Sequence, residues 1–263
     1  MGAIHFSIDP DLLALLRHET GAERFVETGT FEGRSLQIAI GLFEECHSVE
    51  ISRDYHLRAA NQFAGEKGVH LALGSSPQFL QENRQLFSSS PTIFWLDAHW
   101  CAAEHTSDTS GQSPLRQELK AIGSLHPAST VMIDDARLYL APPPHPHRVS
   151  EWPDLQDVVE ILYGLSGTHR LMVLNDVILF YPEPVAGSLR SYAVENGVDY
   201  HLQALRTPDL LPANKHLAQE EARLHNFYQQ LRRSWYPWVL SPSAWSARLR
   251  RNKIRRQINL LRS

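Results

Sequence analysis

The sequence has only two cysteines, Cys46 and Cys101, among its 263 residues. Two cysteines cannot form the disulfide framework of a small secreted domain, so the composition favours a reducing compartment. No segment approaches the roughly 18 consecutive apolar residues of a membrane-spanning helix. The first residues also lack the basic segment and apolar core that are typical of a secretory signal. We therefore expect a cytoplasmic protein.

Acidic residues are absent from the last part of the chain. Between Arg223 and Ser263 there are ten Lys or Arg and no Asp or Glu, whereas the first 222 residues carry 15 basic and 29 acidic side chains. A basic segment that also contains tryptophans favours peripheral contact of residues 232–262 with the inner face of a membrane. Nucleic acid is disfavoured, because the acidic part of the chain would repel a long polyanion. A solvated helix, a self-docked segment and an oligomer contact are the alternatives.

Short apolar segments alternate with longer amphipathic ones, which is the pattern of a parallel sheet with crossover helices. Expected strands lie at residues 24–29, 46–52, 69–74, 91–97 and 129–135. Expected helices lie at residues 9–19, 34–43, 53–68, 76–87, 113–125 and 154–165. Asp9 and Pro10 suit the N-cap and first position of the first helix.

The pattern changes after the fifth expected strand. Residues 136–153 are rich in proline, so we expect a long loop, and long loops are often functional. Residues 169–182 are two apolar runs around Asn175-Asp176, a β-hairpin signal. The sequence thus predicts an α/β fold with a Rossmann-like, doubly wound, mostly parallel seven-stranded sheet that ends in an antiparallel hairpin. We assign it to residues 1–182, followed by a helical, basic C-terminal extension at 183–263.

The turn after the first strand lacks the third glycine of a dinucleotide-binding fingerprint. Its spacing is Glu27-x-Gly29-x3-Gly33, which argues against a dehydrogenase. Gly29 allows a tight backbone turn against a ligand, and Gly33 lets the next helix begin close by. Glu50 ends the second strand, 21 residues after Gly29, where a carboxylate can bind the ribose hydroxyls of an adenosyl group. The alternative is a tight turn with a surface glutamate.

Carboxylates follow the fourth and fifth strands. The stretch "FWLDAHW" carries Asp97 and His99 directly after buried residues, and "VMIDD" ends on Asp134 and Asp135. Three carboxylates at the carboxyl ends of neighbouring strands would repel one another unless a cation neutralised them. Oxygen ligands suit Mg²⁺, Mn²⁺ or Ca²⁺. The alternative is an ion network with nearby basic residues (Arg116, Lys120 and Arg137).

Over roughly residues 20–182 the sequence resembles the class I S-adenosylmethionine (SAM)-dependent methyltransferases. "ETGTFEG" resembles their first motif, and Glu50 resembles their ribose-binding acid. "FWLDAHW" followed by "VMIDDARLY" resembles a bacterial group allied to metal-dependent sugar O-methyltransferases. The sequence departs from that group at residues 101–114. The group has a Ser-Gly-Gly type of segment there, whereas this chain has "CAAEHTSDTSGQSP".

The resemblance implies a transferase that methylates a hydroxyl of a sugar, polyol or other small-molecule or glycan acceptor, in glycan biosynthesis. It implies that SAM is bound by Glu27, Thr28, Gly29, Thr30, Gly33, Glu50 and Ser75. It also implies Mg²⁺ ligands at Asp97, Asp134 and Asp135. His99 is our candidate general base beside Asp97, because an imidazole titrates near neutral pH. The alternative function is a catalytically degenerate scaffold whose basic tail binds a membrane or a partner.

Overall fold

The structure, a computed structural model, describes residues 7–99 and 111–199. Residues 100–110 and 200–263 lie outside the described residues, and with them most of the segment 101–114 that departs from the family pattern and all of the basic residues 232–262. Within the described part, none of the helices has the length and apolar character needed to cross a bilayer.

Within residues 7–99 and 111–199, the centre of the fold is a single sheet of seven strands. The strands are β1 (Arg24–Thr28), β2 (Glu45–Glu50), β3 (Val69–Leu73), β4 (Thr92–Leu96), β5 (Thr130–Ile133), β6 (His169–Leu174) and β7 (Val177–Pro182). Their order across the sheet is β3-β2-β1-β4-β5-β7-β6. The first five strands are parallel, and β7 runs antiparallel to both β5 and β6. The predicted mixed, doubly wound sheet with a terminal hairpin is confirmed.

Helices cover both faces of this sheet. They are α1 (Pro10–Thr20), α2 (Arg34–Ile40), α3 (Arg53–Gln62), α4 (Ser76–Glu82), α5 (Arg84–Ser88), α6 (Leu115–Ile122), α7 (Arg137–Leu140), α8 (Leu155–Leu165) and α9 (Ala186–Asn196). Buried side chains form one apolar cluster on each face. Trp95, from the middle of the stretch that precedes Asp97, is fully buried in the first cluster. It is core, as its place on an apolar strand predicts.

Strand register brings the candidate site residues to one edge of the sheet. Thr28, the last residue of β1, is the register partner of Leu96, which in turn is the partner of Ile133 in β5. The next residues are therefore neighbours in space: the amide of Asp97 donates to the Thr28 carbonyl at 3.1 Å, and that of Asp134 donates to the Leu96 carbonyl at 3.1 Å. The sheet itself thus places the two carboxylates beside the glycine turn.

Helix α1 begins where its capping residues predict. The Asp9 carboxylate accepts from the amides of Asp11 and Leu12, and Pro10 occupies the first helical position. The other oxygen of Asp9 accepts a 2.7 Å hydrogen bond from the Tyr192 hydroxyl of α9. A cap bond of this kind typically stabilises a protein by about 1 kcal/mol.

Helix α9 packs against α1. Residues 183–196, expected from the sequence to belong to the C-terminal extension, form a single 3-10 turn at Glu183–Val185 followed by α9. Leu189 is fully buried in the same apolar cluster as α1. The compact unit that contains the sheet runs to Val198.

Two expected elements differ in detail. The helix expected over 76–87 is interrupted at Asn83, whose side-chain amide donates to the Phe79 carbonyl at 2.9 Å. A side chain that bonds to the backbone competes with the helical hydrogen bonds, which explains the break between α4 and α5. The proline-rich segment 136–153, expected to be a loop, contains the short helix α7 and a 3-10 turn at Val149–Glu151.

The hairpin turn is of the type that matches the twist of two antiparallel strands. Asn175 and Asp176 both have positive φ angles, 50° and 72°, as a type I′ turn requires at its two central residues. Short polar side chains tolerate this conformation better than most, so the Asn-Asp pair explains why the chain reverses here.

Candidate active site

The glycine turn after β1 is held by backbone contacts on both sides. Gly29 has φ +85°, and its amide donates to the Val49 carbonyl of β2 at 2.9 Å. A Cβ atom at this position would lie 2.5 Å from the carbonyl oxygen of Asp97. The turn therefore requires glycine both for its backbone conformation and for the close approach of the segment after β4. Gly33, with φ +70°, directly precedes α2, as the sequence predicts.

Glu50 connects this turn to the second strand. The residue is buried, and its Oε2 accepts from the amide of Phe31 at 2.8 Å. Its Oε1 accepts from the amide of Ser52 at 2.8 Å, directly before α3. Each carboxylate oxygen has a second lone pair. Glu50 can therefore hold the turn and still accept hydrogen bonds from two vicinal hydroxyls.

Glu27 lies in a buried network of hydroxyls next to the turn. The Ser48 hydroxyl donates to Glu27 Oε2 at 2.6 Å, and the Thr30 and Ser48 hydroxyls are 2.6 Å apart. Burial raises the pKa of Glu27 to about 8, which outweighs the lowering effect of its hydrogen bonds with Ser48 and Ser35. Burial therefore favours the neutral form of Glu27 at pH 7, and the network links it to Thr30 of the turn.

Ser75 and Thr28 occupy the start of α4 and the end of β1. Ser75 is half-buried, and its carbonyl accepts from the Phe79 amide at 3.0 Å in the first turn of α4. Glu118 of α6 is buried, and the nearby hydroxyls of Ser76 and Thr28 lower its pKa, but burial dominates and raises that pKa to about 7. This buried acid was not identified from the sequence, because Glu118 lies on an amphipathic helix among polar residues.

The polar residues after β4 and β5 form one cluster. His99 Nε2 lies 3.3 Å from Asp97 Oδ1 and 3.2 Å from Asp135 Oδ2. One potential ligand atom from each of Asp97, His99 and Asp134 lies within 4.8 Å of the other two. Asp134 Oδ2 is buried and has no hydrogen-bond partner within the described part of the chain. Burying a carboxylate oxygen without a hydrogen-bond donor costs free energy, and a ligand bound at this atom would offset that cost.

Electrostatic repulsion among the carboxylates of the cluster also favours a bound cation. Burial, followed by the charge of Asp135, raises the pKa of Asp134 to about 7. Burial and the charge of Asp134 raise the pKa of Asp97 well above its usual value. Both carboxylates thus share a region of negative potential, which a dication would neutralise. The carboxylate oxygens of Asp97 and Asp134 fit a metal of the Mg²⁺ and Mn²⁺ class.

Asp135 is placed differently from the other two acids. Its Oδ1 accepts from Arg137 Nη1 at 2.6 Å, and Arg137 also pairs with Asp176 of the hairpin turn. The ion network considered as an alternative to a metal therefore forms at Asp135. Arg116, in contrast, pairs with Asp157. The metal-ligand set implied by the resemblance is brought together at Asp97 and Asp134, with His99 as the third nearby donor.

Two aromatic side chains of the proline-rich segment 136–153 lie beside the site. The ring of Trp152 lies 5.6 Å from that of His99, and the ring of Tyr139 lies 5.5 Å from Trp152. Beside them is a cavity of about 250 Å³ with largely apolar walls that include Pro142 and Pro143. Neither Trp152 nor Tyr139 was identified from the sequence, since no period or spacing marks them.

Replacing Glu118 with glutamine is expected to stabilise the protein at high pH only. A carboxyl group whose pKa is raised on folding does not lower the free energy of unfolding when the pH is below its unfolded pKa of 4.5. Above that pH the destabilisation grows, and it is complete once the pH passes about 7. Such a rise corresponds to about 3 kcal/mol. Urea unfolding at pH 5 and pH 8 should show the gain at pH 8. Glu66→Gln, at an exposed position, is the control and should follow the wild-type profile. Parallel profiles for Glu118→Gln and wild type would contradict the assignment.

No protein-family model matches the sequence, and no curated protein matches it. Among solved structures, the chain is similar to the O-methyltransferase TomG from Streptomyces achromogenes, involved in tomaymycin synthesis and solved with SAM. The identity is 20% over 66% of this chain and 78% of that one, with a TM-score of 0.47. An O-methyltransferase from Bacillus cereus in complex with SAH is 14% identical over 65% and 80%, with a TM-score of 0.47. Fibrillarin from Aeropyrum pernix with bound SAM is 12% identical over 67% and 74%, with a TM-score of 0.42. Similarities this low carry no activity or substrate to this chain, so function is argued from the site.

Proposed function

We propose that this protein transfers a methyl group from SAM to a hydroxyl of a sugar or polyol, with the assistance of a divalent cation. The observation that supports it best is the contact between the two halves of the site. Gly29 approaches the backbone of Asp97 so closely that a Cβ atom would not fit. A ligand on the glycine turn would thus lie directly beside the carboxylate cluster.

The turn after β1 and Glu50 would bind the donor. Glu50 is fixed by the amides of Phe31 and Ser52, so its remaining lone pairs point in a defined direction before a ligand arrives. A preorganised acceptor of this kind loses little entropy on binding. The ribose hydroxyls of SAM supply two adjacent donors that suit a carboxylate.

The carboxylate cluster would hold the cation and the acceptor. Asp97 and Asp134 are the proposed ligands, and the orphaned Oδ2 of Asp134 is the atom that most needs a cation. A bound dication would orient the acceptor and lower the pKa of its hydroxyl. Asp134 and His99 are buried, and electrostatic interactions are stronger at a site with little exposure to water.

In the proposed step the acceptor oxygen would attack the methyl carbon of SAM. The C–O bond would form as the C–S bond breaks, and the electron pair of the C–S bond would stay on sulfur. His99 would take the hydroxyl proton, so that the positive charge of the sulfonium is replaced by that of an imidazolium. Asp97 and Asp135, at 3.3 Å and 3.2 Å from His99 Nε2, would stabilise that imidazolium. Positioning of donor and acceptor supplies much of the acceleration.

A labelled-methyl assay tests this function. SAM carrying a tritiated methyl group is incubated with monosaccharides, polyols and catechols, with Mn²⁺ or Mg²⁺ and with a chelator. We expect transfer to a monosaccharide or polyol hydroxyl that depends on the cation and is lost in Asp97→Asn, whereas transfer to catechols alone would contradict the proposed acceptor. Donor binding without transfer to any of these acceptors would contradict O-methylation of a sugar or polyol. Full cation-independent activity would contradict the metal. Loss of both binding and transfer would favour the scaffold alternative.

Glu50→Ala is expected to weaken SAM binding by about 1–3 kcal/mol, or roughly 5- to 150-fold, through the loss of charge-assisted hydrogen bonds. Equilibrium dialysis with labelled SAM measures the effect. Because Glu50 also holds the amides of Phe31 and Ser52, urea unfolding of the variant is measured alongside. Glu44→Ala, at an exposed position just before β2, is the matched control. Unchanged affinity in a folded Glu50→Ala variant would remove Glu50 from the donor site.

A further inference from the structure

A second group of metal-ligating side chains lies away from the candidate active site. Glu45 and His47 are two residues apart on β2, so they share one face of the strand. His47 is the register partner of His70 on β3. One potential ligand atom from each of these three residues, the β2–β3 histidine cluster, lies within 4.8 Å of the other two.

The cluster is at the opposite end of the sheet from the glycine turn. Glu45 is the first residue of β2 and Glu50 is the last, so the two are about 17 Å apart along the strand. His70 is the second residue of β3, so it lies near the beginning of its strand, as Glu45 does. The cluster therefore lies too far from Glu50 to contact a donor bound there, and its role is separate from the proposed reaction.

The geometry of the cluster is close to that of a shared ion. His47 Nε2 lies 2.9 Å from Glu45 Oε1. Two ligands about 2.0–2.2 Å from one Zn²⁺ ion in tetrahedral geometry are themselves about 3.3–3.6 Å apart. The rings of His47 and His70 are stacked with centroids 4.5 Å apart. His70 is exposed, so its ring can rotate to complete the set.

The surroundings hold the glutamate in place and leave one oxygen available. Arg24 binds Glu45 Oε2 through Nε at 2.9 Å and Nη2 at 2.7 Å. The same guanidinium donates to the carbonyl of Leu86 and the hydroxyl of Ser90, so Arg24 is itself fixed. Oε1 faces His47 and is the oxygen that a cation would bind.

We propose that Glu45, His47 and His70 bind a zinc-class dication, with solvent in the fourth position. Two imidazoles and one carboxylate suit Zn²⁺ rather than Mg²⁺ or Ca²⁺, which prefer oxygen. Among the strands that the structure describes, β3 is at the edge of the sheet and pairs with β2 alone. The ion would cross-link these two strands and stabilise that edge.

Calorimetric titration of Zn²⁺ into the full chain tests the proposal, with His70→Ala and the exposed His18→Ala compared with wild type. We expect His70→Ala to lose one zinc equivalent or to bind it at least about tenfold more weakly. His18→Ala should bind as wild type does. Zinc at tenfold above its dissociation constant should raise the Tm of wild type by about 2–6 °C more than that of His70→Ala.

Measurement of SAM affinity shows whether a variant affects the candidate active site. The affinity for SAM should be the same in wild type, His70→Ala and His18→Ala. Because His70 is exposed, its replacement by alanine should leave the fold intact. Thermal unfolding of the zinc-free proteins checks this. Equal zinc stoichiometry, affinity and Tm response in wild type and His70→Ala would overturn the proposal. Zinc that binds equally to both would then be held by other residues, and the β2–β3 histidine cluster would be a hydrogen-bonded network only.

Discussion

Gly29→Ala is expected to lower the free energy of unfolding by about 3 kcal/mol or more and to abolish measurable SAM binding. Alanine at φ +85° is strained, and strain of this kind costs about 1–3 kcal/mol. Its Cβ would also lie 2.5 Å from the Asp97 carbonyl oxygen, and a backbone atom cannot rotate away. Relief of the clash requires the segments after β1 and β4 to separate, which would move Asp97 from Asp134.

Urea unfolding and dialysis with labelled SAM measure both effects. Gly164→Ala is the matched control, since Gly164 lies in α8 with open space around its Cβ position. A helical glycine replaced by alanine should stabilise the protein by about 0.5–1 kcal/mol and leave SAM binding unchanged. If Gly29→Ala is as stable as wild type and binds SAM normally, the close approach of the two segments is not present in solution.

Asp134→Asn is expected to have opposite effects on metal binding and on stability. It removes a carboxylate that repels Asp97 and Asp135, so we expect the metal-free protein to become about 1–3 kcal/mol more stable. It also removes the proposed ligand whose Oδ2 has no hydrogen-bond donor among residues 7–99 and 111–199. Even outer-shell partners of a metal are worth about 10–100-fold in affinity, so loss of a ligand should weaken Mn²⁺ binding by about 100-fold or more.

Electron paramagnetic resonance of free Mn²⁺ during titration measures the affinity, and urea unfolding in a chelator measures the stability. Asp157→Asn is the control, because Asp157 pairs with Arg116 at the surface and such a pair contributes about 1 kcal/mol or less. It should leave Mn²⁺ binding unchanged. A stabilised Asp134→Asn variant with wild-type Mn²⁺ affinity would show that the carboxylates repel one another without holding a cation.

The strands were predictable because their apolar runs are short and bounded by turn residues. All five parallel strands form within the expected segments or one residue outside them, and the Asn175-Asp176 hairpin is confirmed by the positive φ angles of both residues. The break at Asn83 was not predictable, because an asparagine interrupts a helix only where its side chain turns back to the backbone. The packing of α9 on α1 through Tyr192 and Asp9 depends on a contact between residues 183 positions apart.

The site was predictable where it follows directly from strand order. Asp97 and Asp134 lie side by side because parallel strands end at the same edge of the sheet. The different role of Asp135 depends on Arg137 and on Asp176, which arrives from the hairpin 41 residues later. Trp152 reaches His99 from a segment without periodicity. Contacts of this kind depend on tertiary structure, and local pattern contains no signal for them.

The most direct test of the proposed function is a calorimetric titration of SAM into the full chain, with Mn²⁺ and with a chelator. We expect one SAM per chain with a micromolar dissociation constant, about −7 to −8 kcal/mol, under both conditions. Binding would be consistent with a donor site formed by the glycine turn and Glu50. Absence of saturable binding up to about 1 mM SAM, or about −4 kcal/mol, under both conditions would contradict the donor site and with it the proposed methyl transfer.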